Sequence, residues 1–322
     1  MKKALRLFSC AAAFTFGMAA VPAAQADVIN VAHVFAIEHP VHQSLLEADK
    51  WLKEKSGGKY EFKIYPATTY ASQKNSIKAV VMGTLDVFIV VNPIDYYKPS
   101  GALLAPYAFR DYDHWKKFKQ SDTYKKMLDE ISKSMGTHQM EMFTFGFRHA
   151  TTKAKPAKTP EEFQGLKLRV VNFPPYPEAA SVLNAVGVPL PLSELYMALA
   201  TGVVDGQENP FSQTFHQKFY EQQKYLILTG HMLATDGWMM SKKRWNSLPE
   251  ADRPMIEEAF RISANFVDEA TIKDEQALQA KLVELGMEVV EVDKQPFMAR
   301  AQEIIKKYPD WAELYGEISN IK

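Results

Sequence analysis

Residues 164–171, QGLKLRVV, and residues 198–210, ALATGVVDGQENP, carry the pattern that decides the fold of this chain. The first segment is a turn signal followed by a strand-like run that alternates apolar and charged side chains up to Arg169. The second segment ends a helix-like run at Gly202 and continues through Asp205 and a turn into Asn209. A strand followed by a helix and another turn into an extended segment is typical of an α/β fold.

The same succession occurs 119 residues earlier, where Gly83 and Asp86 stand in the places of Gly202 and Asp205. A helix-like run over residues 77–82 precedes it, and the apolar residues 87–91 follow without alternation, as in a strand buried on both faces. The economical interpretation is two topologically similar α/β halves. The alternative is that Gly-x-x-Asp merely ends helices, as it does in many unrelated folds.

One segment near the carboxyl end predicts an unusually long helix. Residues 255–285 contain neither Gly nor Pro, and their apolar side chains form a broad stripe at helical spacing. At 1.5 Å per residue such a helix is about 46 Å long, more than one domain needs. We therefore expect it to run across both halves; the alternative is two helices with a break near Asp268 or Asp274.

Residues 1–26 predict a secretory signal peptide. A basic start, MKKALR, precedes an apolar run over residues 8–21, and Ala24-Gln25-Ala26 provides a small-residue cleavage site. The run is shorter than the roughly 20 residues of a membrane-spanning helix. Cleavage after Ala26 removes Cys10, the single cysteine of the sequence, so we expect neither disulfides nor thiol chemistry in the mature chain. Lipidation of Cys10 is disfavoured because most of the apolar run follows it.

The mature length and charge restrict the function further. A chain of nearly 300 residues is long enough for two domains with separate cores. Without the signal peptide it has 35 basic and 38 acidic residues, a balance that gives no reason to expect nucleic acid or an anionic membrane as partner. We expect a monomer that binds a small molecule.

The order and spacing of these segments resemble the solute-binding proteins of tripartite ATP-independent periplasmic (TRAP) transporters, the DctP family. The resemblance runs from HPVHQSLLEADKWLKEKSGG at residues 39–58 through GTLDVFIV at 83–90 and LLAPYAFRDYDHW at 103–115 to SKKRWNSLP at 241–249. It implies a two-domain fold like that of type II periplasmic binding proteins, with the ligand in the cleft between the domains and the long helix spanning both.

The resemblance also implies domain boundaries and a function. Domain I is expected at residues 27–146 plus 236–273, and domain II at 147–235 plus 274–322. The protein is expected in the periplasm, where it captures a small carboxylate and delivers it to the small and large membrane subunits of an ion-gradient-driven permease. Neither a cofactor nor catalysis is expected.

Arg169 and Asn209 are the leading site candidates. In TRAP binding proteins, an arginine at the Arg169 position clamps the substrate's carboxylate, and an asparagine at the Asn209 position supports it. A guanidinium offers a planar fork that matches two carboxylate oxygens, which lysine does not reproduce. Asn209 can both donate and accept hydrogen bonds, although an Asn-Pro pair is also a common turn opener. The structural alternative for Arg169 is an exposed position on the strand.

Arg148 is a third candidate, since the family usually has an arginine there. It follows an aromatic strand-like run and is expected either to contact the ligand or to brace the site, for which a shared carboxylate is a common means. Glu208 and Asp205 are expected to be structural partners. These two roles of Arg148 remain open at this point.

Aromatic and polar side chains near these anchors complete the predicted site. Phe173, Phe211 and Trp238 are expected to line the cleft and exclude water, with core packing as the alternative for each. Gln73 lies where the first domain of the family approaches the ligand. His39 is interpreted as a loop or cleft-lining residue, because His39 and His42 lack the third spaced ligand that a zinc site needs.

No sequence motif supports catalysis. The chain has no G-x-S-x-G elbow, no phosphate-binding loop, no G-x-G-x-x-G segment and no cysteine nucleophile in its mature part. Two rival functions remain: a secreted α/β enzyme acting on a small carboxylate, and a module that senses a ligand for a membrane receptor. The identity of the organic acid cannot be predicted.

Overall fold

The computed structural model describes residues 26–90, 93–173 and 175–322. The predicted signal peptide, apart from Ala26, lies outside the described residues. Nine strands occur in the described chain: β1 (Asp27–Ala32), β2 (Tyr60–Tyr65), β3 (Val87–Val90), β4 (Thr137–Thr152), β5 (Lys167–Val170), β6 (Val186–Pro189), β7 (Gly206–Asn209), β8 (Tyr225–Ser241) and β9 (Glu288–Val290).

The α-helices of the described residues begin and end as follows: α1 (Pro40–Lys55), α2 (Gln73–Met82), α3 (Tyr112–Gln120), α4 (Asp122–Met135), α5 (Pro160–Phe163), α6 (Pro177–Leu183), α7 (Leu192–Thr201), α8 (Phe211–His216), α9 (Lys242–Ser247), α10 (Arg253–Glu284), α11 (Gln295–Ile305) and α12 (Ala312–Asn320). Short 3-10 helices occupy Lys98–Leu104, Phe219–Glu221 and Pro309–Trp311.

A single mixed sheet runs through the molecule in the order β2-β1-β3-β8-β4-β7-β5-β6, and β9 pairs with β8 off this path. The strands β2, β1 and β3 are parallel to one another, and so are β6, β5 and β7. The long strands β4 and β8 lie between these two sets and pair with each other in antiparallel fashion. The chain therefore forms two α/β domains, as the sequence predicts, and two long strands that both domains share join them.

The two Gly-x-x-Asp segments occupy equivalent places in these two sets. Gly83 and Gly202 each end a helix in the left-handed conformation, both at φ of 74°. The Asp86 carboxylate then accepts a hydrogen bond from the backbone N–H of Asn30 on β1, at 2.8 Å. The Asp205 carboxylate accepts one from the N–H of Lys167 on β5, also at 2.8 Å. The predicted internal repeat is thus confirmed. In each half an equivalent aspartate links the start of one strand, β3 or β7, to the neighbouring strand, β1 or β5.

The helix α10 is continuous over 32 residues, so the single-helix prediction is confirmed and the alternative of a break near Asp268 or Asp274 is wrong. At 1.5 Å per residue it is about 48 Å long. Its first half buries Ile256, Phe260 and Val267 in the largest core cluster, which also contains β1 and β3. Its last turns bury Leu282 in a separate cluster with Phe211 of α8. The helix therefore packs on both domains.

The packing of α12 departs from the predicted boundaries, which assign residues 274–322 to domain II. Trp311, Leu314 and Ile318 are buried in the same cluster as Ile29 and Leu103 of the first half. In contrast, α11 buries its apolar face against α6 and β5 of the second half. The carboxyl-terminal helix returns to the first domain because its apolar stripe fits beside the 3-10 helix Lys98–Leu104. The remaining boundaries stay a prediction.

Candidate functional site

A cavity of about 740 Å³ lies between the two domains, a size common for small-molecule sites. Side chains from both domains and from the two crossing strands line it. The polar ones that matter below are Gln73, Arg148, Arg169, Asn209 and Asp236, and the aromatic ones are Phe35, Phe145, Phe173 and Tyr176. The cavity thus combines a few convergent polar groups with apolar walls.

Arg169 presents a buried cation with an unused donor. It lies on β5, and only 2% of it is exposed. Its Nε donates to the carbonyl oxygen of Leu190 at 2.9 Å, whereas its Nη1 is buried without a hydrogen-bond partner among the described residues. Burial, with added repulsion from Arg148, lowers the pKa of Arg169 to about 10, so the side chain remains charged at neutral pH. An anionic oxygen is the partner that this nitrogen lacks.

Arg148 also lines the cavity, but a buried carboxylate already holds it. The Nε and Nη2 atoms of Arg148 donate to Glu208 at 2.5 and 2.8 Å, and Nη2 also donates to the Glu208 carbonyl at 2.6 Å. His231 lies 3.2 Å from the same carboxylate. Burial alone would raise the pKa of Glu208, yet Arg148 and His231 outweigh it and lower the pKa to about 2. The structure thus shows the bracing contact through a shared carboxylate, and it confirms Glu208 and Asp205 as structural partners.

Asn209 ends β7 at the cavity wall, beside Arg148 and the Arg169 strand. Only 3% of it is exposed. Its Nδ2 donates to the Oε1 of Gln207 at 2.5 Å, while Gln207 in turn donates to Thr151 at 3.0 Å. These hydrogen bonds fix the orientation of the Asn209 side-chain amide at the edge of the cavity. Asn209 is therefore held in one orientation before any ligand arrives.

Asp236, which the sequence analysis overlooked, is the most unusual side chain of the cavity. It lies on β8 opposite Phe143 of β4, and 1% of it is exposed. Both carboxyl oxygens are buried without a hydrogen-bond partner among the described residues. Burial raises the pKa of Asp236 to about 8, against a smaller opposing effect of Arg148. A buried carboxyl group without partners is rare in proteins and calls for an explanation.

Two predicted aromatic contacts are corrected by the structure. Trp238 lies in the core of the first domain, where its indole N–H donates to Ser263 of α10 at 3.1 Å and its ring packs against Phe143 and Phe260. Phe211 stacks on His149 with ring centroids 4.5 Å apart and belongs to the cluster beneath α10. Neither side chain lines the cavity, because each completes a core that would otherwise contain a void.

The cavity takes its aromatic surface from other residues. Phe173 lines it as predicted, in the loop after β5. Tyr176 does so as well, and the Arg148 guanidinium lies 4.9 Å from the centre of its ring, a cation–π contact. Phe35 and Phe145 form an edge-to-face pair on the opposite wall, with centroids 5.4 Å apart. No sequence signal distinguishes these two from ordinary core residues.

Gln73 and His39 have different places. Gln73, the first residue of α2, lines the cavity as predicted. His39 lies behind Phe35, with their rings stacked at 4.3 Å, and its Nδ1 caps α1 by accepting from the N–H of Val41 at 3.2 Å. The prediction that His39 lines the cleft is therefore corrected. Within the described residues, no group of three or more His, Cys, Asp or Glu side chains is placed to hold a metal ion.

The comparison with protein families agrees with this architecture. The model of the bacterial extracellular solute-binding proteins of family 7, DctP, matches residues 31–310. The chain belongs to this family. Among its DctP relatives is the sialic acid-binding periplasmic protein SiaP of Vibrio cholerae, 29% identical over 259 residues, or 80% of each chain. Another is the C4-dicarboxylate-binding periplasmic protein DctP of Rhodobacter capsulatus, 28% identical over 81% of this chain and 79% of the relative.

Solved structures of the DctP family have the same fold. A TRAP periplasmic solute-binding protein of Haemophilus influenzae with bound L-gulonate is 27% identical, with a TM-score of 0.86 over 92% of this chain and 99% of that one. One from Bordetella, with density interpreted as pantoate, is 28% identical, with a TM-score of 0.84 over the same shares. The family is one of binding proteins and not of enzymes. Among the described residues of this DctP protein, no helix is both long and apolar enough to cross a membrane.

Proposed function

We propose that this protein captures a small organic acid in the interdomain cavity and delivers it to the membrane subunits of a TRAP transporter. The observation that carries the proposal is the free Nη1 of Arg169, a buried cation without a partner in a cavity of ligand size. A carboxylate supplies the two oxygens and the charge that this guanidinium lacks. Family membership and the acids named for the solved relatives support the same ligand class.

Each polar side chain has a role in this proposal. Arg169 clamps the carboxylate, and Asn209 supports one of its oxygens. Arg148 forms an ion pair with Glu208 and braces the site beside the ligand. Phe173 and Tyr176 cover the apolar body of the acid, and Gln73 reaches it from the first domain. Water is excluded as the domains close, which strengthens these charge-assisted contacts.

The proposal includes the location and the partners of the protein. The leader, residues 1–26, directs export to the periplasm and is removed there, and the mature protein acts as a monomer without a cofactor. It transports its ligand unchanged and catalyses no reaction on it. A secreted enzyme is disfavoured because, among the described residues that line the cavity, no nucleophile is hydrogen-bonded to a base.

Thermal melting with matched acids and amides tests the carboxylate clamp. We expect L-gulonate, pantoate or an acid with a more apolar body to raise the melting temperature, while the corresponding amides do not. A ligand at about 100 times its dissociation constant adds roughly 2.7 kcal/mol to the stability of the native state. Amides as effective as the acids would contradict the proposal.

Variants of Arg169 give the second arm of this test. Arg169→Ala should weaken binding of the best acid by about 10²–10³-fold, because it leaves a buried carboxylate unpaired. Arg169→Lys should recover little, since an ammonium cannot form the planar fork. Arg261→Ala is the matched control: this exposed arginine pairs with Glu258 on the surface of α10 and should leave binding unchanged. Calorimetry with near-native affinity in Arg169→Ala would refute the assignment.

A further inference from the structure

Asp236 and Arg169 are buried ionisable side chains of the cavity, and each has side-chain atoms without a hydrogen-bond partner among the described residues. Among the described residues lining the cavity, Arg148 is neutralised by Glu208, and Lys74, Lys78 and Asp95 are exposed to water. Arg169 has an unused N–H, and Asp236 has two unused oxygens. The interior of the site therefore offers two anchors for a ligand, the guanidinium of Arg169 and the carboxyl group of Asp236.

The two anchors lie on different strands. Ala234 and Trp238, each two positions from Asp236 on β8, are buried in the core cluster of the first domain. Leu168, which precedes Arg169 on β5, is buried in a cluster of the second domain. A ligand in the cavity thus meets a guanidinium from β5 and a carboxyl group from β8.

We propose that the ligand is a zwitterion, with a carboxylate for Arg169 and a primary ammonium group for Asp236 at the other end of a short apolar spacer. This inference rests on the proposed function and narrows its ligand class from organic acids to amino acids. The aromatic side chains Phe173 and Tyr176 on one wall and Phe35 and Phe145 on the other enclose the spacer.

Charge balance and hydrogen-bond capacity both favour an ammonium group over a hydroxyl. A simple anion compensates Arg169 but offers no hydrogen-bond donor to the two buried oxygens of Asp236, and unsatisfied buried polar atoms are costly. An ammonium has three N–H donors and can engage both carboxyl oxygens, whereas a hydroxyl has one donor. With a zwitterion, each buried charge of the closed cavity has an opposite neighbour.

The protonation of Asp236 provides a signature of this pairing. Burial raises the pKa of Asp236 to about 8, so at neutral pH its carboxyl group is mostly protonated. The charge of Arg148 opposes this shift, and the charge of Asp236 contributes to the raised pKa of Tyr176. An ammonium partner favours the ionised form and lowers that pKa. Binding of a zwitterion at neutral pH should therefore release up to about one proton from Asp236. A hydroxy acid has no ammonium group to stabilise the ionised carboxylate, so its binding should not release this proton.

Matched triplets of acids provide the test. Calorimetry compares γ-aminobutyrate with γ-hydroxybutyrate and butyrate, and ε-aminocaproate with ε-hydroxycaproate and caproate. We expect the amino acid of the better-fitting triplet to bind at least about tenfold tighter than its two counterparts, the effect of one buried charge pair. Titrations in phosphate and in Tris, which differ in ionisation enthalpy, should show its proton release.

Asp236→Asn tests the residue, because it preserves the shape and removes the charge. The preference for the amino acid should fall to within about threefold of the counterparts, and the proton release should vanish. Asp274→Asn, an exposed position on α10, is the matched control and should retain both. If the Asp236 variant does not fold, the native protein still tests the proposal, because only the amino acid of each triplet should release a proton on binding.

The outcomes separate the two proposals. Acids that bind in an Arg169-dependent manner without any preference for the amine, or a preference that survives Asp236→Asn, would overturn the zwitterion and leave the acid-binding function standing. Failure of every acid in both the triplets and the melting panel would overturn the function itself. A preference for the amine that depends on both Arg169 and Asp236 would support both.

Discussion

Glu208 and Asp236 are buried carboxyl groups that both feel the charge of Arg148, yet their pKa values move in opposite directions. Burial favours the neutral form of each. Glu208 receives two hydrogen bonds from the guanidinium and one contact from His231, and its pKa falls to about 2. Asp236 receives no hydrogen bond, and its pKa rises to about 8. The charge of the directly paired Arg148, together with hydrogen bonds from His231 and Arg148, keeps Glu208 ionised, whereas the effect of Arg148 on Asp236 does not overcome burial.

The pairing of Glu208 predicts an acid-dependent loss of stability. The folded pKa of about 2 lies below the ordinary value of 4.5, so this contribution is complete above about pH 4.5 and is lost as the pH falls toward 2. Its size is on the order of 3 kcal/mol. Urea unfolding at several pH values should therefore show that Glu208→Gln is much less stable than the native protein near neutrality and converges with it in acid.

A matched variant distinguishes this effect from a general loss of charge. Glu288→Gln removes an exposed carboxylate that pairs with Lys224 on the surface, and its stability difference should stay small, within about 0.5 kcal/mol, at every pH. A constant difference between Glu208→Gln and the native protein from neutral to acid pH would contradict the assigned ion pair.

Sequence reasoning located Arg169 but missed Asp236, for a physical reason. Arg169 stands on a strand with a clear alternation of charged and apolar side chains, so its placement at a strand end is readable. Asp236 lies on β8, which is buried on both faces over nearly its whole length and therefore has no alternation. The same uniformity makes Trp238 look like a cleft residue, although it belongs to the core. Which side chain of such a strand faces the cleft depends on tertiary packing alone.

At the scale of elements, α10 is fastened to the crossing strands through Asp268. This carboxylate accepts hydrogen bonds from the backbone N–H of Thr144 on β4 at 2.7 Å and from Lys119 of α3 at 2.9 Å. The indole N–H of Trp115 lies 3.3 Å from both of its oxygens. Gly146, two residues beyond Thr144, has a φ of 116° at a shift in the register between β4 and β8. The hydrogen bonds of Asp268 therefore hold α10 beside the register shift at residues 144–146 of β4.

Removal of this tie should destabilise the protein as a whole. Asp268→Ala leaves Lys119 and the N–H of Thr144 without their buried partner, which should reduce the free energy of unfolding by about 2–4 kcal/mol. Asp268→Asn should lose less, because its oxygen still accepts from Thr144. Urea unfolding measures both, with Asp274→Ala on the exposed face of the same helix as the control. Equal stabilities of Asp268→Ala and the control would contradict the role of Asp268.

The long helix was predictable and the crossing strands were not, because their signals differ. Residues 255–285 lack helix breakers and repeat apolar side chains at helical spacing, which needs no tertiary information. The 16 residues of β4 and 17 of β8 greatly exceed ordinary strands of about five or six. Similarly, α12 shows an amphipathic pattern but nothing in it tells which domain it covers. Pattern determines the element, while packing determines its partner.

At the scale of the molecule, β4, β8 and α10 connect the domains, and the segment between α11 and α12 crosses between them as well. In the proposed complex, Arg169 on β5 and Asp236 on β8 both contact the ligand, which favours a cavity that narrows around it. The domains must then rotate about the crossing strands, and Gly146 lies at a point where the ladder is already irregular. A hinge needs only a few such positions to absorb the change in dihedral angles.

Closure predicts a shorter distance between labels on the two domains. Cysteines that replace the exposed Lys50 on α1 and Lys158 before α5 can carry spin labels, since residues 27–322 contain no cysteine. The acid that raises the melting temperature most should shorten the measured distance, and Arg169→Ala should remain at the unliganded value. An unchanged distance at saturating ligand would indicate a rigid, preformed pocket and would favour an enzyme over a transporter component.

The return of α12 to the first domain sets the order in which the chain can fold during synthesis. Trp311 packs directly against Gly101, where an added Cβ would lie only 2.2 Å from the indole nitrogen, and Ile318 shares a core with Ile29. Chains are made from the amino terminus at several residues per second, and early domains usually fold first. The core of the amino-terminal domain is therefore complete only after residues 311–318 have been made.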